Sequence, residues 1–403
     1  MKKFLTIAVV LCFAVFAAQA HDISTGDLSI TSGGSYTVTG STTEYSVTVD
    51  TAEPVTLTLD GVNINLSTAS PVDIKSGSFV TILLVGDNTL KQTGPHIGAP
   101  INVPSGASVT IQGSGSLAAA SSDNWAAAIG GGDGQASGSI TIYGGNITAN
   151  GGMYSSGIGG GAGQPGTVTI AGGTVKAYGG NFGAGIGGGT GWNGYPNVTI
   201  TGGDVYAEGG NGAGIGNGDE GGRNYIGSVT ITGGTIEARS NSGAGIGAGN
   251  AGGESGRGPN IYISGGSIKA SSNSGSPIGQ GAGQGECPAP KTEESGEVIY
   301  KATLPDAMVP PDAGNFLTFG DSENVSFTTK KDGSAYSYAY SGVGYAGDDS
   351  LYFYMPDGSY VIEGSNGKSF GGTINGADAT FVVVPEPALF GLLSLVALCF
   401  RRK

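Results

Sequence analysis

Trp125, Tyr154 and Phe182 stand at one position of three successive segments, each four residues ahead of an isoleucine set in a glycine-rich phrase. Later segments carry Asn211, Ser242 and Ser274 at that position. Rings repeated at regular intervals can stack on the C–H faces of sugars, or on one another beneath a corner of the fold. One place earlier, Asn124, Asn181, Asn241 and Asn273 suit turns, where amide side chains bond nearby backbone. Carboxylates follow the same phrase: Asp133, the Asp219-Glu220 pair and Glu254. Two carboxyls about 5–10 Å apart can cleave a glycosidic bond, and clustered oxygens can hold calcium. Asp133, Asp219 and Glu220 are therefore the candidate calcium ligands, with plain surface ion pairs to Arg223 and Arg257 in the same loops as the simpler reading. His96 is the only histidine besides His21, which removes a histidine-dependent triad or a multi-histidine metal site from consideration. A lyase would need clustered Lys or Arg beside carboxylates, and no such cluster stands out.

The elements that must position these residues are short and repeated. ITIYGGNITA (140–149), VTIAGGTVKA (168–177), VTITGGDVYA (198–207), VTITGGTIEA (229–238) and IYISGGSIKA (261–270) are variants of one phrase. Each is followed by a glycine-rich mark, and the isoleucines of that mark, from Ile129 through Ile158, Ile186, Ile215 and Ile246 to Ile278, are 29, 28, 29, 31 and 32 residues apart. A period near thirty built from alternating apolar residues and glycine turns predicts a solenoid. Val168, Ile170, Val175 and Ala177 are expected to point inward, and Thr169 and Lys176 outward. The mark supplies a third strand, giving an all-β, right-handed, three-sided parallel β-helix with one rung per repeat. None of the glycine runs is followed by a helix or by the Lys-Ser/Thr pair of a phosphate loop, so nucleotide readings fall away. The outward column Thr148, Lys176, Tyr206, Glu237, Lys269, with Arg239 beside it, predicts cross-strand ion pairing on a solvated face, with binding left open. Thr141, Thr169, Thr199 and Thr230 repeat the T-x-T flavour of ice-binding solenoids, but Asn197, Ser228, Asn260 and Tyr262 are expected to interrupt the array.

Looser copies, VTLTLDGVNI (55–64), VTILLVGDNTL (80–90) and VTIQGSGSL (109–117), carry the solenoid back to about residue 27, and it runs to 285 in coils of 28–32 residues. A linker spans 286–296. From 297 to 382 aromatics such as Tyr300, Phe353, Tyr354, Tyr360 and Phe370 enter short alternating runs, predicting a small antiparallel β domain with an aromatic core. Asp357-Gly358 and Asn366-Gly367 are its expected hairpin turns.

The two ends look like processed addresses. Lys2 and Lys3 precede an apolar run, and Ala18-Gln19-Ala20 is a small-x-small cleavage site, so residues 1–20 are expected to be removed by signal peptidase. At the other end Pro385-Glu386-Pro387 leads an apolar stretch, Ala388 to Phe400, shorter than the roughly 20 residues of a membrane span. Arg401, Arg402 and Lys403 close it. In its order of elements the segment 384–403 resembles the PEP-CTERM sorting tail. That resemblance implies removal by a membrane exosortase, transient membrane contact through the tail, and a Gram-negative host that makes exopolysaccharide. Losing both ends would leave Cys287 as the one thiol and shift the net charge from −14 to −18. An acidic chain has no general attraction for nucleic acid, and a polyanion would need a bridging divalent cation.

TLTLDGVNI, GDNTL and GIGGG with VTIxGGTVxA together resemble the bacterial extracellular β-helix family of carbohydrate-binding domains over about 50–285. Members of that family bind acidic plant polysaccharides with calcium. Taken together, the resemblances imply a secreted, exosortase-processed surface or matrix protein that binds polysaccharide without catalysis. Two alternatives stay open: a structural or adhesive matrix element, and a polysaccharide lyase or glycoside hydrolase on the same scaffold.

Overall fold

The computed structural model describes residues 18–95, 98–191, 193–221, 226–251, 257–283, 287–294, 297–303, 327–336, 340–343, 351–364 and 369–384. The leader up to residue 17, the tail from Pro385, and His96, Arg223 and Glu254 lie outside the described residues. The repeat region is a three-faced parallel β-solenoid. A representative coil contains Gly166–Ile170 on the first face, Thr174–Tyr178 on the second and Ile186–Gly187 on the third. The third face is a ten-stranded parallel sheet running from Leu28–Ile30 to Ile278–Gly279. The first face begins at Gln19–Asp22, which pairs with Gly34–Thr39.

Alternation drives this arrangement. Residues i and i+2 of a strand share a face, so V-x-I and V-x-A put two apolar side chains inward per strand and leave the intervening residues outside. Ile142, Ile170, Ile200, Ile231 and Ile263 stack in register and are fully buried, as are Ala149, Ala177, Ala207, Ala238 and Ala270. Alanine on the second face and isoleucine on the other two set the width of a narrow triangular core. That core is continuous from Ile23 to Ile278.

The third face is only two residues wide, and its glycine explains why. Gly130, Gly159, Gly187, Gly216, Gly247 and Gly279 all have φ between +117° and +147°, a region that L side chains rarely adopt. At the first five positions a Cβ would also lie about 2 Å from the carbonyl oxygen of the next glycine in the column. The I-G pair therefore allows adjacent rungs to close on each other where the chain turns sharply.

The outward threonine column is longer than expected. Register places Thr56, Thr81, Thr110, Thr141, Thr169, Thr199 and Thr230 on seven consecutive rungs, with Tyr262 ending the run. Asn197, Ser228 and Asn260 do not interrupt it, because they occupy the neighbouring outward column with Thr167. β-branched Thr fits a pleated, half-buried surface.

Beyond the last coil the described residues form a four-stranded and a five-stranded sheet, antiparallel among those residues except for the pairing of Ile299–Thr303 with Ala379–Thr380. Phe353, Met355, Tyr360, Phe370 and Phe381 fill their common core. Asp357-Gly358 is not a hairpin turn: Leu351–Pro356 before it and Gly358–Gly364 after it belong to different sheets. The described D-G hairpin is Asp332-Gly333, with φ of 50° and 82°, joining Phe327–Lys331 to Ser334–Tyr336. Both central residues have the positive φ of a type I′ turn. Asn366-Gly367 lies outside the described residues. Lys291 bridges Tyr262 and Val298, and Ile299 and Tyr354 join the solenoid core, so this module closes the end of the stack.

Candidate functional site

One corner of the solenoid, between the second and third faces, carries the three aromatic residues that depart from the repeat. Its loops stack like strands. Tyr154 donates its amide to the Asn124 carbonyl at 2.7 Å, and Phe182 donates to Met153 at 3.0 Å. The buried Asp123 carboxylate anchors the first loop by accepting the Trp125 amide at 3.0 Å. With the backbones held at rung spacing, the three expected rings come together. Trp125 and Tyr154 have centroids 4.5 Å apart at 23°, and Tyr154 and Phe182 5.2 Å apart at 9°. Such contacts contribute roughly 0.5–1.5 kcal/mol each beyond area burial. The rings turn their faces to one another, so Tyr154 and Phe182 are half-buried, while Trp125 at the end of the stack is 38% exposed. Surface for a ligand is concentrated on Trp125.

Where the aromatic stack ends, a polar cleft of about 360 Å³ opens along the same corner, lined by Tyr178, Asn181, Glu208, Arg239, Asn241 and Asn273. Tyr178, Glu208 and Arg239 are the last outward residues of the second-face strand on consecutive rungs. Arg239 was legible beside the charged column, whereas Tyr178 and Glu208 were not singled out by sequence reasoning. Their signal was the residue directly after the inward alanine, which changes from Asn150 to Tyr178, Glu208, Arg239 and Ser271. The expected cross-strand pairing is present next door. Glu237 accepts from the Arg239 Nε at 2.6 Å and meets the Lys269 Nζ at 3.2 Å. Tyr206 donates its hydroxyl to the Glu208 carboxylate, and burial, followed by that bond, pushes its phenol well above the ordinary range. The Arg239 guanidinium lies 5.7 Å from the Tyr206 ring centre. Of the expected asparagine contacts, Asn273 donates to the Asn241 side-chain oxygen at 2.7 Å.

The three candidate calcium ligands are not gathered. Asp133 and Asp219 occupy the same place after the I-G pair on coils three rungs apart, or about 14 Å at the usual strand spacing. Calcium takes six to eight oxygens, and no group of three or more His, Cys, Asp or Glu able to hold a metal occurs among the described residues. Asp219 and Glu220 alone do not fit such a cage.

Asp219 is notable for another reason. Its amide donates to the Phe182 carbonyl at 2.7 Å, which ties its backbone to the loop of the preceding rung, and its buried Oδ1 has no hydrogen-bond partner. Burial, and then repulsion from Glu220, pushes its carboxyl from 3.8 up to about 6. The protonated form therefore favours the folded state. The stability that it contributes is complete below about pH 3.8 and is lost as pH rises through about 6. Asp219→Asn should remove this slope from a plot of thermal midpoint against pH. Because the group is partly exposed, the variant should gain only about 1 kcal/mol or less over wild type above pH 7. Parallel pH profiles for the two proteins would contradict this assignment.

Residues 24–151, which include Trp125, match the family model of a carbohydrate-binding domain-containing protein. Residues 168–190, 198–219 and 229–250 match a β-helix repeat model. No curated protein and no solved structure matches the chain. The chain is thus a parallel β-helix whose first coils are similar to a carbohydrate-binding domain, and polysaccharide binding is the activity that this likeness supports.

Proposed function

We propose that the chain is a secreted surface or matrix protein that binds polysaccharide along the corner carrying Trp125 and performs no chemistry on it. The observation that carries this reading is the surface aromatic stack, with its exposed Trp125, running into a cleft of hydroxyl, amide and carboxylate groups. The likeness of residues 24–151 to a carbohydrate-binding domain supports it. Sugars offer apolar C–H faces and hydroxyl edges together, and this corner offers a partner for each. From Trp125 to Asn273 the strip covers five rung steps, about 24 Å, so it would engage a chain of several sugars. Hydrolysis would need two available carboxyls facing each other across the bond; Asp133 and Asp219 are three rungs apart, and Glu237, one rung from Glu208, is held by Arg239 and Lys269. Under this reading signal peptidase and an exosortase remove the two ends, and the tail that includes Pro385, Glu386, Pro387, Arg401 and Arg402 touches the membrane only during processing.

The test uses protein recovered from the medium, its intact mass recorded, and immobilised polysaccharides as probes. Trp125→Ala should weaken binding about tenfold or more, by analogy with the roughly 1–3 kcal/mol of base stacking on an aromatic side chain. Its thermal midpoint should change little. A variant that binds like wild type, or that melts, would return the stack to a scaffolding role and favour a structural matrix element.

A further inference from the structure

The cleft beside the aromatic stack points to the class of glycan, an inference that rests on the polysaccharide-binding reading above. From the geometry we infer that this cleft seats neutral, hydroxyl-rich sugar units and that it does so without calcium.

Its charges are already matched. Arg239 lines the cleft, but its guanidinium is bonded by Glu237 and lies over Tyr206. Lys269 is tied to that same Glu237 at 3.2 Å. A uronate or sulfate would have to compete with Glu237 for these cations, and it would lie beside Glu208. The acidity of the whole chain, −14, adds to that repulsion. A neutral sugar meets no such opposition. One Glu208 oxygen accepts from Tyr206, and the other has no hydrogen-bond partner among the described residues. A carboxylate oxygen in that state is a strong acceptor for a sugar hydroxyl. Asn241 and Asn273, joined side chain to side chain, add amide donors and acceptors to the lining, and Tyr178 adds an aromatic ring.

Part of the cleft wall is bare backbone packed tightly on the preceding rung. Gly180 and Gly210 form part of it, and a Cβ at either would meet the preceding rung's backbone, 2.0 Å from the Gly152 oxygen and 2.5 Å from the Asn181 oxygen. At about 360 Å³ the space lies within the ~300–1,000 Å³ of small-molecule sites.

The experiment measures the protein recovered from the medium against neutral glucan and mannan and against polygalacturonate and alginate, each with calcium and with EDTA. Neutral polymers should be retained equally in both conditions, with little dependence on salt. Glu208→Ala should weaken that binding about tenfold or more, the loss expected for a hydrogen bond to a charged group. Glu208→Gln keeps an acceptor for Tyr206, so it separates a binding loss from a folding defect and should still weaken binding severalfold. Preference for the uronate polymers, a requirement for calcium, or wild-type binding by Glu208→Ala would overturn the inference. Uronate binding that Trp125→Ala abolishes would sink this inference alone, whereas failure to bind any glycan would remove the polysaccharide reading with it.

Discussion

Gly216→Ala should cripple the solenoid, at a cost on the order of 4 kcal/mol, which is large for a single methyl group. Two penalties coincide there. The residue has φ of +147°, which alanine adopts only under strain. Its Cβ would also sit 1.9 Å from the Gly247 carbonyl oxygen, a backbone atom that cannot swing aside as a side chain could. Relief would require the third face to open between two rungs. In a solenoid each rung is stabilised by its neighbours, so that damage spreads along the stack. Gly134→Ala is the control. Its φ is +62° and no atom lies within 4 Å of the added Cβ, so only the left-handed penalty of about 1 kcal/mol should apply. Urea unfolding of the two variants measures the difference. Equal midpoints would show that the third face tolerates side chains and that the glycine column has another cause.

The architecture was readable because alternation and period are local properties. V-x-I and V-x-A state which residues face inward, and the spacing of Ile129 through Ile278 states how often the chain returns. The alignment of Trp125, Tyr154 and Phe182 followed from the same count. What the count could not supply was the orientation of the rings. Stacked face to face, they leave one exposed indole where spacing alone suggested three platforms. The cleft escaped notice for a related reason. Tyr178, Glu208 and Arg239 share no residue type, and only register shows that they adjoin one another and the asparagines of the next loop. Asp133 and Asp219 mislead in the opposite direction: they hold equivalent repeat positions, yet the rise of the solenoid separates them by three rungs. The threonine column shows how a half-read phase obscures a pattern, since Asn197 and Ser228 looked like interruptions until strand pairing placed them one column over. Asp357-Gly358 had the composition of a hairpin turn, but a turn joins a hairpin only where the flanking strands pair.

Tyr354→Ala should uncap the C-terminal end of the stack, with a folding cost of about 3–5 kcal/mol. Among the described residues the last third-face strand, Ile278–Gly279, has no further coil beside it, and an unpaired parallel edge is a template for association. Tyr354 stands where the next rung would be. It is only 5% exposed, packs into the solenoid core and places its hydroxyl 3.4 Å from the Ile278 amide and 3.5 Å from the Ile278 carbonyl. Those long bonds are the smaller part of its effect, so Tyr354→Phe should cost about 1 kcal/mol. Truncation to alanine removes the ring itself and exposes both the apolar end of the core and the strand edge. The expected result is a lower thermal midpoint together with concentration-dependent association seen by light scattering beyond that of wild type, while Tyr354→Phe scatters as wild type does. If Tyr354→Ala were destabilised without associating, the edge would be protected by another part of the module. If it behaved like Tyr354→Phe, the solenoid would end stably at Ile278 without a cap.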